Sequence, residues 1–365
     1  MSLHVPVPDH ILQIHPYIPG KPVEEVEREL GLTDVVKMAS NENPLGPSPK
    51  ALAALHDYCA SLHYYPEGSG FYLRQALSEF YSLPMDHIIL GSGSVDLIEL
   101  ICRAFMDAGT NAVTSVHSFV SYRIAVQAAH AEFREAPMTE RTYDLSAIES
   151  LVDERTRVVL IANPNNPTGT YVSYKALEDF LDRIPDTVLV VVDEAYKEFV
   201  EKEDYATVQP LLERHPNLVV LGTFSKAYGL AGLRLGYGFA DPEVLAVIHR
   251  VRSPFNANSA AQVAGIAALQ DQDFVRKDVE LNLRERRYLS ERLTEMGVAW
   301  TPSVANFILV DVPIDGREFF EKLLREGVIV RPMGVCGLPD SMRVSVHLRE
   351  GNNRFLAATK KVLGL

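Results

Sequence analysis

Leu218-Val-Val-Leu-Gly-Thr223-Phe-Ser225-Lys226 ends an apolar run on two hydroxyls and a lysine, and Arg234 follows eight residues later. A lysine taken out of water loses part of its proton affinity, and its neutral amine condenses with carbonyl groups. The hydroxyls and the guanidinium fork suit an anion such as a phosphate. A lone lysine on the surface and a salt-bridging arginine are the ordinary reading of the same types. A second run, Val190-Val-Val-Asp193-Glu-Ala-Tyr196, ends on a carboxylate. Burying that carboxylate is costly unless a cation or donors face it. A protonated ring nitrogen would serve, and Tyr196 would reach the same ligand. An Asp after a strand is equally well a helix N-cap.

Two further loops have usable chemistry. In Ala162-Asn-Pro-Asn-Asn166-Pro-Thr-Gly169 the prolines and glycine set an irregular path, and the Asn166 amide can donate to an oxygen on a ring. The composition also fits a plain strand-to-helix turn. Leu90-Gly-Ser-Gly93-Ser94-Val95-Asp96 joins a strand to a helix, where free backbone N–H groups form a phosphate site. It lacks the third glycine of a dinucleotide fingerprint, and a capped glycine turn explains it as well.

All four loops must be held by a sheet. The runs Ile88–Leu90, Ala112–Val116, Arg157–Ala162, Thr187–Val192, Leu218–Leu221 and Leu235–Phe239 read as strands, and all but Ala112–Val116 and Leu235–Phe239 are almost continuously Val, Ile and Leu. That is the pattern of strands buried on both faces, in a mostly parallel sheet flanked by helices. Val95–Met106 and Tyr122–His130 read as two of those helices. The four loops then fall at the C-terminal ends of strands, where open α/β sheets bind ligands.

The chain has 365 residues, enough for two domains. Residues 1–45 read as a proline-rich arm and the start of a small domain, with one helix at Val23–Leu30 stopped by Gly31. Residues 46–255 read as a large α/β domain and 256–365 as a smaller α+β domain. In the latter, a long helical stretch, Ala260–Met296, breaks near Asp271. Strands at Asn306–Val310, Val328–Arg331 and Met342–Val346 follow, with helices at Arg317–Glu326 and Asn352–Leu363. Arg284-Glu-Arg-Arg287 reads as a solvated helix face.

The net charge of −13 argues against a nucleic-acid partner. The longest apolar runs are too short to span a membrane, and the start of the chain lacks the pattern of a secretory signal. Three cysteines, widely spaced, fit free thiols in a reducing compartment. The expected location is the cytoplasm. The histidines and cysteines show no metal-ligand spacing, so no metal is expected.

Taken together and in this order, the phosphate loop, Asn loop, Asp strand and Ser-Lys stretch resemble the fold type I pyridoxal-phosphate aminotransferases. His15-Pro-Tyr17-Ile-Pro-Gly20, Ser40-Asn-Glu-Asn43-Pro-Leu-Gly46, Tyr64-Tyr65-Pro-Glu67 and Arg343-Val-Ser-Val346 bring the resemblance closer to the histidinol-phosphate aminotransferase group, over nearly the whole chain. It implies a large domain with a mostly parallel seven-stranded sheet, a smaller α+β domain and a homodimer. It implies transamination of histidinol phosphate with 2-oxoglutarate, in histidine biosynthesis, on pyridoxal 5'-phosphate.

The roles implied by the resemblance are specific. Lys226 would carry the cofactor and move the substrate's α-proton. Asp193 would keep the ring nitrogen protonated, and Tyr196 and Asn166 would bond the ring oxygen. Gly93, Ser94, Val95, Thr223, Ser225 and Arg234 would hold the phosphate, with Tyr65 reaching the partner subunit's. Phe119 would stack on the ring. Tyr17, Asn43, Arg331 and Arg343 would bind substrate. Two positions depart from the group's pattern: Val95-Asp96 replaces an Asp-Glu pair, and His117 stands where a proline is usual.

Related activities share these motifs. Aromatic or broad-range amino-acid aminotransferases and threonine-phosphate decarboxylase are the enzymatic alternatives. A cofactor-binding transcription regulator would need a DNA-binding domain before the first motif, and the arm is too short for one.

Overall fold

The computed structural model describes residues 4–365. Its centre is a seven-stranded sheet. In spatial order the strands are Ile88–Gly91, Gly236–Ala240, Leu218–Thr223, Leu189–Asp193, Thr156–Ala162, Asn111–Ser115 and Glu132–Ala136. Only Gly236–Ala240 runs antiparallel to its neighbours. Successive side chains along a strand point to opposite faces, and each face packs on its own layer of helices. Val159, Ile161, Val190, Val192 and Val220 enter one core, and Val158, Leu160, Val191, Val219 and Leu221 the other. That is why these runs carry no polar alternation.

The seventh strand, Glu132–Ala136, escapes the sequence pattern. It is an edge strand, Glu-Phe-Arg-Glu-Ala, and only Ala136 is buried. Charges on an edge blunt unwanted pairing, and they also erase the apolar run by which a strand is read.

A smaller antiparallel sheet has the order Trp300–Thr301, Phe307–Asp311, Leu338–Ser345, Arg331–Met333. The run expected as a single strand, Val328–Arg331, splits at Val330. Val328–Ile329 pairs in parallel with Val36–Lys37, joining the end of the arm to this unit. Arg331–Met333 pairs with Leu338–Ser345 instead.

The helix Ser259–Leu269 packs against Pro49–Tyr58 and Phe71–Tyr81. Its Ala261, Ala264 and Ala268 belong to the core of the large sheet. We therefore propose the domain boundary at the break near Asp271, one helix later than composition suggests. The basic stretch at 284–287 is only partly a solvated face. Arg284 and Arg287 are exposed, but Arg286 is buried. It donates to Glu201 at 2.6 Å and to the Ala305 carbonyl at 2.8 Å, tying the two units together.

Candidate active site

The strands Ile88–Gly91, Thr156–Ala162, Leu189–Asp193 and Leu218–Thr223 all point the same way, so their C-terminal ends open into one crevice. A cavity of about 270 Å³ lies there. Of the residues singled out above, Tyr17, Ser94, Val95, Phe119, Asn166, Asp193, Tyr196, Thr223, Ser225, Lys226, Arg234 and Arg343 line it. Residues as far apart in the chain as Tyr17 and Arg343 therefore meet on one wall.

Lys226 sits just past its strand. Its Nζ donates to the Ser40 carbonyl at 3.0 Å and stands 5.6 Å from the centre of the Tyr196 ring. Burial, helped by the Arg343 and Arg234 charges, lowers its pKa from 10.5 to about 7. The amine is thus largely neutral just above neutrality and able to attack a carbonyl carbon. Asp193, the last residue of its strand, is 4 % exposed. The Ala195 N–H donates to its Oδ1 at 3.2 Å. Burial raises the Asp193 carboxyl to about 7, the mark of an anion site that lacks a close cation.

The phosphate-type end of the cavity is equally defined. The helix Ser94–Phe105 starts at Gly93, whose φ is +86°, with no side-chain cap. Its first N–H groups therefore remain available to an anion. A Cβ at Gly93 would lie 2.5 Å from Arg234 Nη2, so the bare backbone is what lets the guanidinium reach this helix start. Thr223 donates its hydroxyl to Ser225 Oγ at 3.0 Å and accepts the Ser225 N–H at 3.1 Å. Arg234 Nη1 lies 3.5 Å from the same Oγ.

Pyridoxal phosphate fits this arrangement. The uncapped helix start with Arg234 suits its phosphate, the depressed Lys226 its aldehyde, and the buried carboxyl of Asp193 its ring nitrogen. Tyr196 and Asn166 suit the ring oxygen, and Phe119 offers a flat face.

The far wall is cationic. Arg343 and Arg331 face each other directly across two antiparallel strands, an arrangement that repels unless an anion lies between or beside them. Their partners are neutral. Arg343 donates to Asn166 Oδ1 at 2.5 Å and to the Ala39 carbonyl at 2.7 Å, and Arg331 donates to the Ile18 carbonyl at 2.5 Å. Burial, with Arg331 adding to it, holds the Arg343 guanidinium below its ordinary value. Arg331 adjoins the main cavity through a smaller hollow shared with Tyr17, Asn166 and Arg343. The Tyr17 ring lies 5.2 Å from the Arg331 guanidinium carbon.

Four expected residues do not line this cavity: Gly93 and Arg331, placed above, and Asn43 and Tyr65. Asn43 is occupied within its own loop and the next: it donates to the Ala227 carbonyl at 3.0 Å and accepts the Leu45 N–H at 2.9 Å. It buttresses the residue after Lys226 instead of facing a substrate. Tyr65 is 83 % exposed and stacks on Phe255 at 5.0 Å, outside the lining of its own chain's cavity.

The two departures have local explanations. Val95 lines the cavity, and Asp96 accepts the Ser92 N–H at 2.8 Å and the Asn256 amide at 2.9 Å. His117 has a φ of +54°, and its Nδ1 meets the Cys336 carbonyl at 2.5 Å, linking the Phe119 loop to the small unit.

Ser40, Asn41 and Glu42 also line the cavity. They lie inside a motif noted for its turn formers, but no spacing in that motif shows which side chains turn inward. Among the described residues no group of His, Cys, Asp and Glu is arranged to hold a metal. No helix among them is long and apolar enough to cross a membrane.

The family model "Aminotransferase class I and II" matches residues 33–359. The histidinol-phosphate aminotransferase of Anaeromyxobacter sp. (strain Fw109-5) is 49% identical over 98% of this chain and 99% of its own. Histidinol-phosphate aminotransferase 2 of Pseudomonas fluorescens (strain Pf0-1) is 48% identical over 97% and 96%. Among solved structures, the histidinol-phosphate aminotransferase from Sinorhizobium meliloti in complex with pyridoxal-5'-phosphate superposes with a TM-score of 0.92. It has 27% identity over 100% of this chain and 99% of that one. The aspartate aminotransferase from Thermus thermophilus with maleate, at 22% identity, shares the fold with a TM-score of 0.85.

Proposed function

Since the chain belongs to the class I and II aminotransferases, we propose that it moves the amino group of L-histidinol phosphate to 2-oxoglutarate. The products are imidazole acetol phosphate and glutamate, a step of histidine biosynthesis. The observation that carries the choice of substrate is the facing pair Arg331 and Arg343, both without a carboxylate partner among the described residues. One site must accept two amino compounds in turn. Glutamate offers an α-carboxylate, whereas histidinol phosphate has none and offers a phosphate. A guanidinium fork bonds either anion, and a second arginine beside it suits the more highly charged phosphate.

Pyridoxal phosphate, when bound, supplies the carbonyl that receives the amino group and a ring that takes up electron density from the substrate. The chain's own groups do the rest. Ser94, Val95, Thr223, Ser225 and Arg234 bind the cofactor's phosphate end. Asp193 holds a proton at the ring nitrogen, and the Tyr196 hydroxyl and the Asn166 amide donate to the ring oxygen. Lys226, neutral above about 7, is the base for the proton on the substrate's α-carbon. Arg343 orients the substrate's anion.

The test is single-turnover spectroscopy of each half-reaction. Arg343→Lys is expected to slow both the histidinol phosphate and the glutamate half-reactions by about tenfold to a hundredfold, the worth of one charge-assisted bond. Arg331→Ala is expected to slow the histidinol phosphate half-reaction selectively. Equal loss with both amines in Arg331→Ala would remove the case for a phosphate-bearing substrate.

A homodimer with shared sites accompanies this reading. Tyr65 does not line its own chain's cavity. Phe255, stacked on it, and Leu62, Tyr64, Phe71 and Tyr72, near it in the chain, are exposed, which suits a protein interface. Lys226→Ala and Tyr65→Ala homodimers are expected each to have little activity. Mixed and refolded together, they are expected to regain part of it, because one site of each heterodimer then holds both native residues. Heterodimers that form without recovered activity would count against shared sites. The free thiols Cys59, Cys102 and Cys336 suit the reducing cytoplasm as the location.

A further inference from the structure

Asn41 is tied into the site more tightly than any role so far explains. It has a φ of +57° and is 1 % exposed. Its backbone N–H donates to Ser345 Oγ at 2.8 Å, and its carbonyl accepts the Asn306 amide at 3.0 Å. The Ser345 hydroxyl in turn donates to Asn41 Oδ1 at 3.1 Å. That bond uses the one hydrogen Ser345 has, and it fixes which end of the Asn41 amide points where. Asn41 Nδ2 is thereby aimed at the Tyr196 hydroxyl oxygen, at 3.0 Å.

The consequence follows from what a phenol carries: one hydrogen and an oxygen that also accepts. With Asn41 donating to its oxygen, the Tyr196 hydroxyl has its own hydrogen free to point into the cavity. A side chain that accepted at this place would draw that hydrogen away. The held phenol is also a better donor, because hydrogen bonds in a chain polarise one another.

We propose that Asn41 is a positioning residue that acts through Tyr196. It holds the phenol as a hydrogen-bond donor toward the ring oxygen of the cofactor, and it couples that donor to the small domain through Ser345 and Asn306. The inference rests on the reading of Tyr196 as the ring-oxygen partner, and the test below separates the two.

The measurement is the pH dependence of the cofactor's absorbance in the holoenzyme, without substrate. The transition reports how well the ring oxygen is kept as an anion beside the lysine-linked group. Tyr196→Phe removes the donor, so the transition is expected to move to higher pH. Asn41→Gly tolerates the positive φ and removes only the amide. It is expected to move the transition the same way by about half to one pH unit, the size of one hydrogen bond's net contribution.

In the Tyr196→Phe background, Asn41→Gly is expected to add almost nothing. Full non-additivity is the signature of action through Tyr196. A loop that was merely loosened would shift the transition in both backgrounds alike, and that result overturns the proposal. So does an Asn41→Gly holoenzyme whose transition is unmoved while that of Tyr196→Phe is shifted. If Tyr196→Phe itself moves nothing, the assignment of Tyr196 fails and the proposal with it. Asn41→Asp also tolerates this φ and reverses the bond. It serves where the glycine variant does not fold: its shift is expected to shrink once the Tyr196 hydroxyl is removed, and an undiminished shift overturns the proposal.

Discussion

Lys226→Ala is expected to lower turnover by roughly four orders of magnitude or more while the protein stays folded. The side chain lines a cavity, and its one hydrogen bond, to the Ser40 carbonyl, is a small contribution to stability. In the role proposed for Lys226, two functions disappear together, attachment of the cofactor and proton transfer at the substrate's α-carbon. The pH dependence gives a finer check. The amine must be neutral to attack the cofactor's aldehyde, and burial brings its pKa from 10.5 down to about 7. Cofactor uptake by the apo-protein is therefore expected to rise with pH through about 7 and then level off. An uptake rate that kept climbing toward pH 10 would mean that the lysine is solvated and unshifted. Borohydride reduction of the holoenzyme followed by peptide mapping should label Lys226 and no other lysine.

Asp193→Asn is expected to cost about a hundredfold to a thousandfold in turnover, the range for removing one preorganised charge from a reacting centre. Cofactor content should be nearly unchanged, because the groups proposed to hold the phosphate end lie elsewhere, at the Ser94–Phe105 helix start and Arg234. The physical reason lies in the burial of Asp193. Without a cation its carboxyl is pushed up to about 7. A protonated ring nitrogen beside it restores the anion, and the anion stabilises that proton in return. Asparagine holds no such charge. Near-normal turnover in Asp193→Asn would reduce Asp193 to a cap that accepts the Ala195 N–H.

Much of this site is legible in the sequence because its residues follow directly on buried strands. An all-apolar run such as Val190–Val192 must end at a sheet edge, and whatever comes next stands at the crevice. Asp193, Thr223 and Lys226 are read that way. What the chain order hides is set by distant partners. Asn41 and Asn43 lie two apart in one motif, yet only Asn41 lines the cavity. Its orientation depends on Asn306 and Ser345, 265 and 304 residues away. The facing of Arg331 and Arg343 depends on the break at Val330, where an unbroken apolar run moves from one sheet to another. Tyr65 is legible as a motif, but its place outside its own chain's cavity is a matter of tertiary packing.

The resemblance stated on the motifs and the comparisons agree on family, fold and cofactor. They leave to geometry the question of which anion the paired arginines meet. The most direct test mixes the pyridoxal form with histidinol phosphate, tyrosine, phenylalanine and threonine phosphate in turn and follows the cofactor spectrum in a single turnover. Histidinol phosphate is expected to convert the cofactor to its amino form with an efficiency about a hundredfold above tyrosine and phenylalanine, which lack the phosphate that the paired arginines would bond. Equal or faster conversion by tyrosine or phenylalanine, or release of carbon dioxide from threonine phosphate, would contradict it.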